Sequence, residues 1–547
     1  MSAIPFFDCA CMIGMRAKRH RRTIYKLADY RREFAYHDIM GAVVFHAIAK
    51  EHNCDYGNRR LLDEIGADPQ LVPQWVLLPH HCGEMPPPAD LVEEMLALGV
   101  RTARLYPTLH GFGTAEHVIG PLLAELARHR MPLFLDLTEV PWDELIRLCQ
   151  AHPLLPVVLS STSWSTDRRM YPALQQCPNL HIETWAQQAH RGYERFIAEF
   201  GPERLLFGTD LPYRSPGAAR MMVNYEQISD EDRRKIAGGN ILRLLRNVQG
   251  ASSRPLPELK APPEHPDDDP IVASVRAGKP LTDQFICDAH GHLGHDGSMG
   301  IRQAALPWQD ADHMIASMDR IGIDVFCFSP YLGVQLGDAA SNDISIAACE
   351  HYPDRLLAYG CANPNYPELV AAELERVFGR DDFIGYKPYP AEHGVPLDDP
   401  AYEPIMQWLD DNEAPLLGHG ATDKMRGLTP DVAMTLAERY PRAKFIIAHT
   451  GSSYAFAEAV IAAANKFPNI YAEITYTAIL YNLVEMLCEE MPVAQVLYGS
   501  DAPMRDPVPQ VGWVAWARIP YEQKQKVLGH NMADLLKMPL AARYPRA

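Results

Sequence analysis

Short apolar runs recur along this chain, separated by stretches in which apolar residues return every three or four positions. In the first half the runs lie near 6–11, 41–46, 74–78, 102–105, 133–136, 157–160, 180–184 and 205–208. In the second they lie near 285–290, 323–329, 356–361, 383–387, 415–419, 444–449, 470–473 and 496–500. Brief apolar runs bounded by turn residues read as buried strands, and the stretches between them as amphipathic helices. The spacing of about 25–40 residues suits a strand–helix unit, and eight units in about 250 residues predict a (β/α)8 barrel. The expected class is therefore α/β, with two tandem TIM-type barrels. A doubly wound sheet would place a glycine-rich phosphate loop after its first strand, and none stands there.

The halves also resemble each other in sequence, which predicts a tandem duplication. Phe7-Asp8-Cys9-Ala10-Cys11-Met12-Ile13-Gly14 aligns without gaps to Cys287 through Gly294. Arg104-Leu105-Tyr106-Pro107 matches Lys387-Pro388-Tyr389-Pro390, and Pro132 to Asp136 matches Pro415 to His419. Both pairs share an offset of 283 residues (Arg104 to Lys387, Pro132 to Pro415). Pro178-Asn179-Leu180 pairs with Pro468-Asn469-Ile470, Phe207 to Pro212 with Tyr498 to Pro503, and Gly239-Asn240 with His530-Asn531. Between the copies, residues 251–280 hold seven prolines and the acid run Asp267-Asp268-Asp269. They read as an exposed linker whose end, Ile271 to Lys279, forms a short helix. The expected domains are 1–250, the linker 251–280, and 281–547.

Composition changes this picture little. At 47% hydrophobic and 22% charged residues the chain is an ordinary globular protein. A net charge of −18 argues against a nucleic-acid partner. The basic cluster Arg16 to Arg22 reads as a solvated helix face. Eleven cysteines without a framework spacing suit a reducing cytoplasm. The N-terminal Met1 to Asp8 lacks a signal-peptide layout, and no apolar run reaches the ~20 residues of a membrane span.

The chemistry gathers at predicted strand ends, where a barrel places its active site. Strand 1 of the second half ends in Asp288-Ala289-His290-Gly291-His292. Residues i and i+2 share a strand face, so His290 and His292 can grip one metal ion. Strand 4 ends at Lys387, strand 5 at His419, strand 6 at His449 and strand 8 at Asp501. Three neutral imidazoles and a carboxylate suit one zinc, manganese or iron ion, which would bring the pKa of a bound water toward about 7. Asp501 could take that water's proton, and His449 could polarise the substrate or protonate a leaving group. Lys387 reads as a ligand for a substrate carboxylate, as an exposed lysine, or as a carboxylated bridge between two metals. Tyr331, Tyr389, His393 and Glu473 are candidates for the pocket lining, and His295 for an outer role.

As an ordered set, these motifs resemble the amidohydrolase superfamily, and within it the amidohydrolase-related branch that includes aminocarboxymuconate semialdehyde decarboxylase. The resemblance implies that His290, His292, His419 and Asp501 hold a divalent metal, usually zinc, with His449 beside it as an acid/base group. It covers the second half and, more weakly, the first. There Ala10 and Met12 stand for the histidine pair, Asp136 for His419 and Ser161 for His449, while Asp210 survives. This half is expected to hold no catalytic metal, and Cys9 and Cys11 fall one position off the ligand register.

The leading expectation is a metal-dependent hydrolase of an amide, lactone or similar bond in a small polar molecule. The alternatives are a non-oxidative decarboxylase of an unsaturated or aromatic acid, and a non-catalytic scaffold. Expected partners are a small carboxylate-bearing substrate, the other barrel of the same chain, and further copies in a homo-oligomer. Some decarboxylases of the family receive an arginine from a neighbouring subunit, so Arg168 and Arg169 are candidates for contacting the substrate.

Overall fold

The computed structural model describes residues 4–251 and 254–543. Its first nine strands are β1 (Phe6–Ile13), β2 (Ile39–His46), β3 (Leu71–Pro73), β4 (Trp75–Val76), β5 (Ala103–Arg104), β6 (Leu133–Asp136), β7 (Val157–Ser160), β8 (Leu180–Glu183) and β9 (Leu205–Leu206). They are parallel and form two sheets, β1-β2-β3 and β4 through β9, instead of the one continuous sheet expected. The break lies at Gln74, where the third predicted strand changes partner: its N–H donates to Val44 O at 2.8 Å, and the next N–H, of Trp75, to Thr102 O at 3.2 Å. The side chain of Gln74 is buried at this step, donating to Thr102 Oγ1 at 3.0 Å and accepting from Arg104 Nε at 2.7 Å. β1 is also tied to the segment after β9, through Cys9 N to Phe207 O and Met12 N to Leu211 O, both 2.9 Å.

The other eight strands are β10 (Cys287–Leu293), β11 (Val325–Pro330), β12 (Leu356–Gly360), β13 (Phe383–Tyr386), β14 (Pro415–Gly418), β15 (Lys444–Ile447), β16 (Ile470–Glu473) and β17 (Val496–Leu497). They pair in chain order in a single parallel sheet. Ala289 N donates to Tyr498 O at 3.0 Å and His292 N to Ala502 O at 2.7 Å, which brings the two edges together and nearly closes a barrel. The strands are mostly apolar because a parallel sheet is covered on both faces, and their polar residues are concentrated in β10 and at strand ends. One buried cluster takes Cys287 and Ala289 from β10, Val325 and Cys327 from β11, Leu357 and Tyr359 from β12, Ile384, Leu417 and Ile446 from β13 to β15, and Leu497 from β17. Only the interior of a ring is common to all of these strands.

The chain divides into two compact units at Pro266/Asp267. Of the predicted linker, Ser252 and Ser253 lie outside the described residues, as do Met1 to Ala3 of the N-terminal stretch. The rest of the linker up to Pro266 has no helix or strand, yet it is not loose. Leu256 and Leu259 pack against the core of the first unit, and His265 Nε2 lies 2.7 Å from the buried Asp38 carboxylate. The short helix spans Pro270–Arg276, with Asp269 accepting from the N–H groups of Ile271 and Val272. The stretch Arg16 to Arg22 is not the helix face expected. It is irregular, and Arg16 turns inward, donating to Thr23 Oγ1 at 2.6 Å and stacking over Tyr213. Among the described residues, no helix is long and apolar enough to cross a membrane.

Both units keep the same bracing around their first strand. Asp8 Oδ1 accepts from the N–H groups of Ala10 (2.9 Å) and Thr209 (3.1 Å). Asp288 Oδ1 accepts from those of His290 (3.1 Å) and Ser500 (3.0 Å). Ser161 and His449 both have positive φ (66° and 59°), as do Asp210 and Asp501 (54° and 58°). The aligned pairs therefore occupy equivalent backbone positions.

His181 on β8 gives the first unit a pH dependence. It is 7% exposed, and burial, then Arg243 and Arg204, push its pKa down to about 4. The fold thus holds it neutral, while the unfolded chain takes up a proton near the ordinary value of about 6.5. Its contribution is present above about pH 6.5 and is lost as pH falls toward 4, amounting to about 3 kcal/mol. Between pH 7 and pH 4, chemical denaturation of the native chain should therefore lose about that much more stability than His181→Leu loses. Equal losses would contradict this reading.

Candidate active site

A register shift between Asp288 and Gly291, opposite Phe326 to Phe328, inserts one extra residue into β10. With a strict period of two, Ala289 and His290 would face opposite ways; the bulge lets Ala289 join the barrel core while His290 and His292 face its mouth. The two rings lie 5.5 Å apart. Asp501 reaches them from the loop after β17, with Oδ1 3.1 Å from His292 Nε2 and 3.6 Å from His290 Nε2. Ligand atoms of these three buried side chains lie within 4.8 Å of one another, as do those of His290, His449 and Glu473.

Outer contacts fix how each ring presents its nitrogens. His290 Nδ1 donates to Glu473 Oε2 at 3.0 Å, leaving the Nε2 lone pair directed inward, where Lys387 Nζ donates to it at 3.0 Å. Gly499 makes room for this pair: a Cβ there would lie 2.6 Å from Glu473 Oε1 and 2.8 Å from His290 Cβ. His292 Nδ1 lies 3.1 Å from Ser329 Oγ, which is 2.8 Å from the Tyr389 hydroxyl, and its ring stacks on Tyr331. His449 Nδ1 donates to Thr475 O at 3.1 Å, so its Nε2 also carries a lone pair. Burial, joined by Lys387 or a neighbouring imidazole, lowers the pKa of His290 and His449 well below the usual histidine value. Burial lowers that of His292 too, so all three rings are neutral, the form that binds a cation.

A cavity of about 540 Å³ opens over this group, lined by His290, His292, Lys387, His419, His449 and Asp501 among others. His419 is solvent-exposed in it, 4.5 Å ring to ring from His449, and belongs to neither close group. Tyr389 lines the same cavity, with Arg426 at its exposed rim. Lys387, only 2% exposed, has its pKa lowered to about 8 by burial. Among the described residues, no carboxylate lies within ion-pair distance of its ammonium. Burial pushes Asp501 upward, but Arg505, bonded to its Oδ2, and the hydrogen bond with His292 hold it well below the usual carboxylate range.

Sequence reasoning had no role for Arg505, Ser329 or Thr475, and gave Glu473 only a lining one. Arg505 had a signal, an arginine four residues beyond Asp501 in one strand-end loop. His295 is exposed, outside the close groups, and His393 is buried away from the cavity wall. In the first unit Arg168 and Arg169 are exposed on the helix Asp167–Gln176. Ala10 and Met12 are buried, Asp136 accepts from Ser161 Oγ at 2.5 Å, and burial raises Asp210 to about 6. Cys11 Sγ faces Asp8 Oδ2 at 2.9 Å.

These donors fit a divalent ion: preset imidazole lone pairs beside one carboxylate, with an outer acid orienting His290. Glu473→Gln should weaken zinc binding about 10- to 100-fold in a competitive chelator titration. An unchanged affinity would deny Glu473 that role.

Several solved structures are similar to one half of this chain. One is 5-carboxyvanillate decarboxylase from Novosphingobium aromaticivorans DSM 12444, complexed with manganese and 4-hydroxy-3-methoxy-5-nitrobenzoic acid. It is 18% identical over 47% of this chain and 97% of its own, with a TM-score of 0.39. Another is 2,6-dihydroxybenzoate decarboxylase from Rhizobium, 15% identical over 46% of this chain and 99% of its own, TM-score 0.38. A third is a dihydroxybenzoic acid decarboxylase from Polaromonas sp. JS666 with bound manganese and 2-nitroresorcinol, 14% identical over 46% of this chain and 97% of its own, TM-score 0.37. No curated protein matches the chain. The amidohydrolase family profile matches twice, over residues 12–246 and again over 287–538, and the chain belongs to that family.

Proposed function

We propose that the second unit is a metal-dependent, non-oxidative decarboxylase of a small aromatic or unsaturated carboxylic acid. The observation that carries this reading is Lys387, a buried ammonium that faces a cavity and has no carboxylate of its own. Asp501 and Glu473 favour its charge only from beyond ion-pair distance, so burial still costs this cation, and a substrate carboxylate in direct contact relieves it. Arg426 at the rim adds positive charge. The negative charge of Asp501 is already matched by Arg505.

The same geometry disfavours hydrolysis, the leading expectation from sequence. Hydrolysis needs a base to take a proton from water, and Asp501 was the candidate. Its Oδ2 is bonded to Arg505 and its Oδ1, beside the two histidines, is the oxygen left for a metal ion, so neither is free for that task.

One divalent ion, zinc or manganese, would be held by His290, His292 and Asp501, with His419 facing the same cavity, and would supply positive charge to stabilise the electron pair left on the substrate. Lys387 pairs with the substrate carboxylate and orients it. The bond between that carboxylate and its carbon breaks, carbon dioxide leaves, and the bonding electrons stay on the carbon. Lys387 Nζ–H then points at this carbon and donates a proton, forming a C–H bond; water reprotonates the lysine. His449, fixed by Thr475, presents its Nε2 as an acceptor for a substrate hydroxyl. The first unit keeps the bracing without the ligands and takes no part in the chemistry.

The test is a panel of aromatic and unsaturated carboxylic acids incubated in deuterium oxide with zinc- or manganese-loaded protein. Carbon dioxide release with one deuterium at the vacated carbon is expected. Turnover of esters, lactones or amides with no carbon dioxide from any acid would put hydrolysis in its place.

A further inference from the structure

A second cavity of about 200 Å³ lies beside the first and shares Gln303, Val334 and Met504 with it. Its other walls set His295, Ser298, Gln309 and Gln335 beside an aliphatic group. Ile301 comes from the loop after β10, Leu332 from the helix Tyr331–Gln335, and Ile344 from the helix Ala339–His351. These three, with Val334 and Met504, are all partly exposed, so five aliphatic side chains face the opening instead of being packed away. The formal charge on its wall, Arg302, is turned to Glu392 at 3.1 Å. Tyr331 stands between the two spaces: it lines the apolar cavity and stacks on the metal-site ring of His292, centroids 4.9 Å apart and planes 18° apart.

We infer that this cavity is a specificity subsite for an apolar group carried by the substrate, an aryl ring or a short branched alkyl chain, whose carboxylate lies at Lys387. The inference rests on the carboxylate reading given above and names the other end of the same molecule. Adjacency argues for the occupant: the two cavities share the side chains of Gln303, Val334 and Met504, so the apolar one lies next to a molecule anchored at the polar site. Size agrees, because an apolar cavity of about 150 Å³ accepts benzene. A tail placed here removes from water the five aliphatic side chains that are now partly exposed.

The experiment is calorimetric titration of the metal-loaded protein with straight-chain carboxylates from acetate to octanoate, and with phenylacetate. Affinity should rise about fourfold per methylene until the cavity is full, then level off. Ile344→Trp, which fills the cavity, should flatten the rise, and Leu332→Ala should move the levelling point to longer chains. Affinity independent of chain length, or an undiminished rise in Ile344→Trp, would overturn the inference while leaving decarboxylation standing. If no carboxylate binds, the carboxylate reading falls. The straight-chain alcohols from ethanol to octanol then probe the cavity alone, a chain-length rise upholding the apolar subsite and a flat response overturning it.

Discussion

Asp501→Asn is expected to remove the metal and to lower unfolding stability by about 3–5 kcal/mol. Asp501 has two roles that its exchange separates from those of the histidines. Its Oδ1 completes the close group with His290 and His292, and its Oδ2 neutralises Arg505, which is 5% exposed. Without the carboxylate, a buried guanidinium loses its ion pair with Asp501, the large-effect case among point substitutions. The double variant Asp501→Asn/Arg505→Met should recover much of the stability and none of the metal, and that non-additivity is the signature of the pair. Denaturant unfolding beside metal analysis reads both. If the single variant were as stable as the native chain, the ion pair would have no structural weight.

Lys387→Met is expected to lower kcat/KM for decarboxylation by about 10²–10³-fold, the usual effect of removing one charged contact from a developing transition state. Stability should hold or rise, because a buried ammonium with no carboxylate in direct contact is replaced by an apolar chain of similar length. That opposition of sign separates a functional lysine from a structural one. Lys387→Arg should not restore activity, since a wide planar guanidinium is a poor substitute for a compact ammonium beside His290. Loss of stability in Lys387→Met with activity retained would make the residue part of the scaffold.

The elements of this site were legible in sequence because strand ends are marked by a change from apolar runs to histidine, lysine and aspartate. His290, His292, Lys387, His449 and Asp501 are brought together from three strand ends, those of β10, β13 and β15, and the loop after β17. What stayed hidden was what depends on backbone detail. The bulge after Asp288 is invisible in a simple alternation, yet without it His290 would face away from the core side of β10. The Asp501–Arg505 pair lies in an irregular loop, where periodicity says nothing about which side chains meet. Gln74 could not be foreseen as the residue that splits the first unit's strands into two sheets, because the break depends on side-chain bonds to neighbouring strands. Proline content made the linker look exposed, while Leu256 and Leu259 give it a hydrophobic footing on the first unit. The separation between His419 and the close group is likewise a matter of side-chain placement, not of spacing along the chain.

Metal content per chain tests the account most directly, since every chemical role argued for Lys387, His449 and Glu473 assumes one ion beside His290, His292 and Asp501. Plasma mass spectrometry on protein purified without chelator should find about one equivalent of divalent metal in the native chain and almost none in His292→Ala. No metal in the native chain even after incubation with zinc or manganese, or a full equivalent retained by His292→Ala, would contradict it.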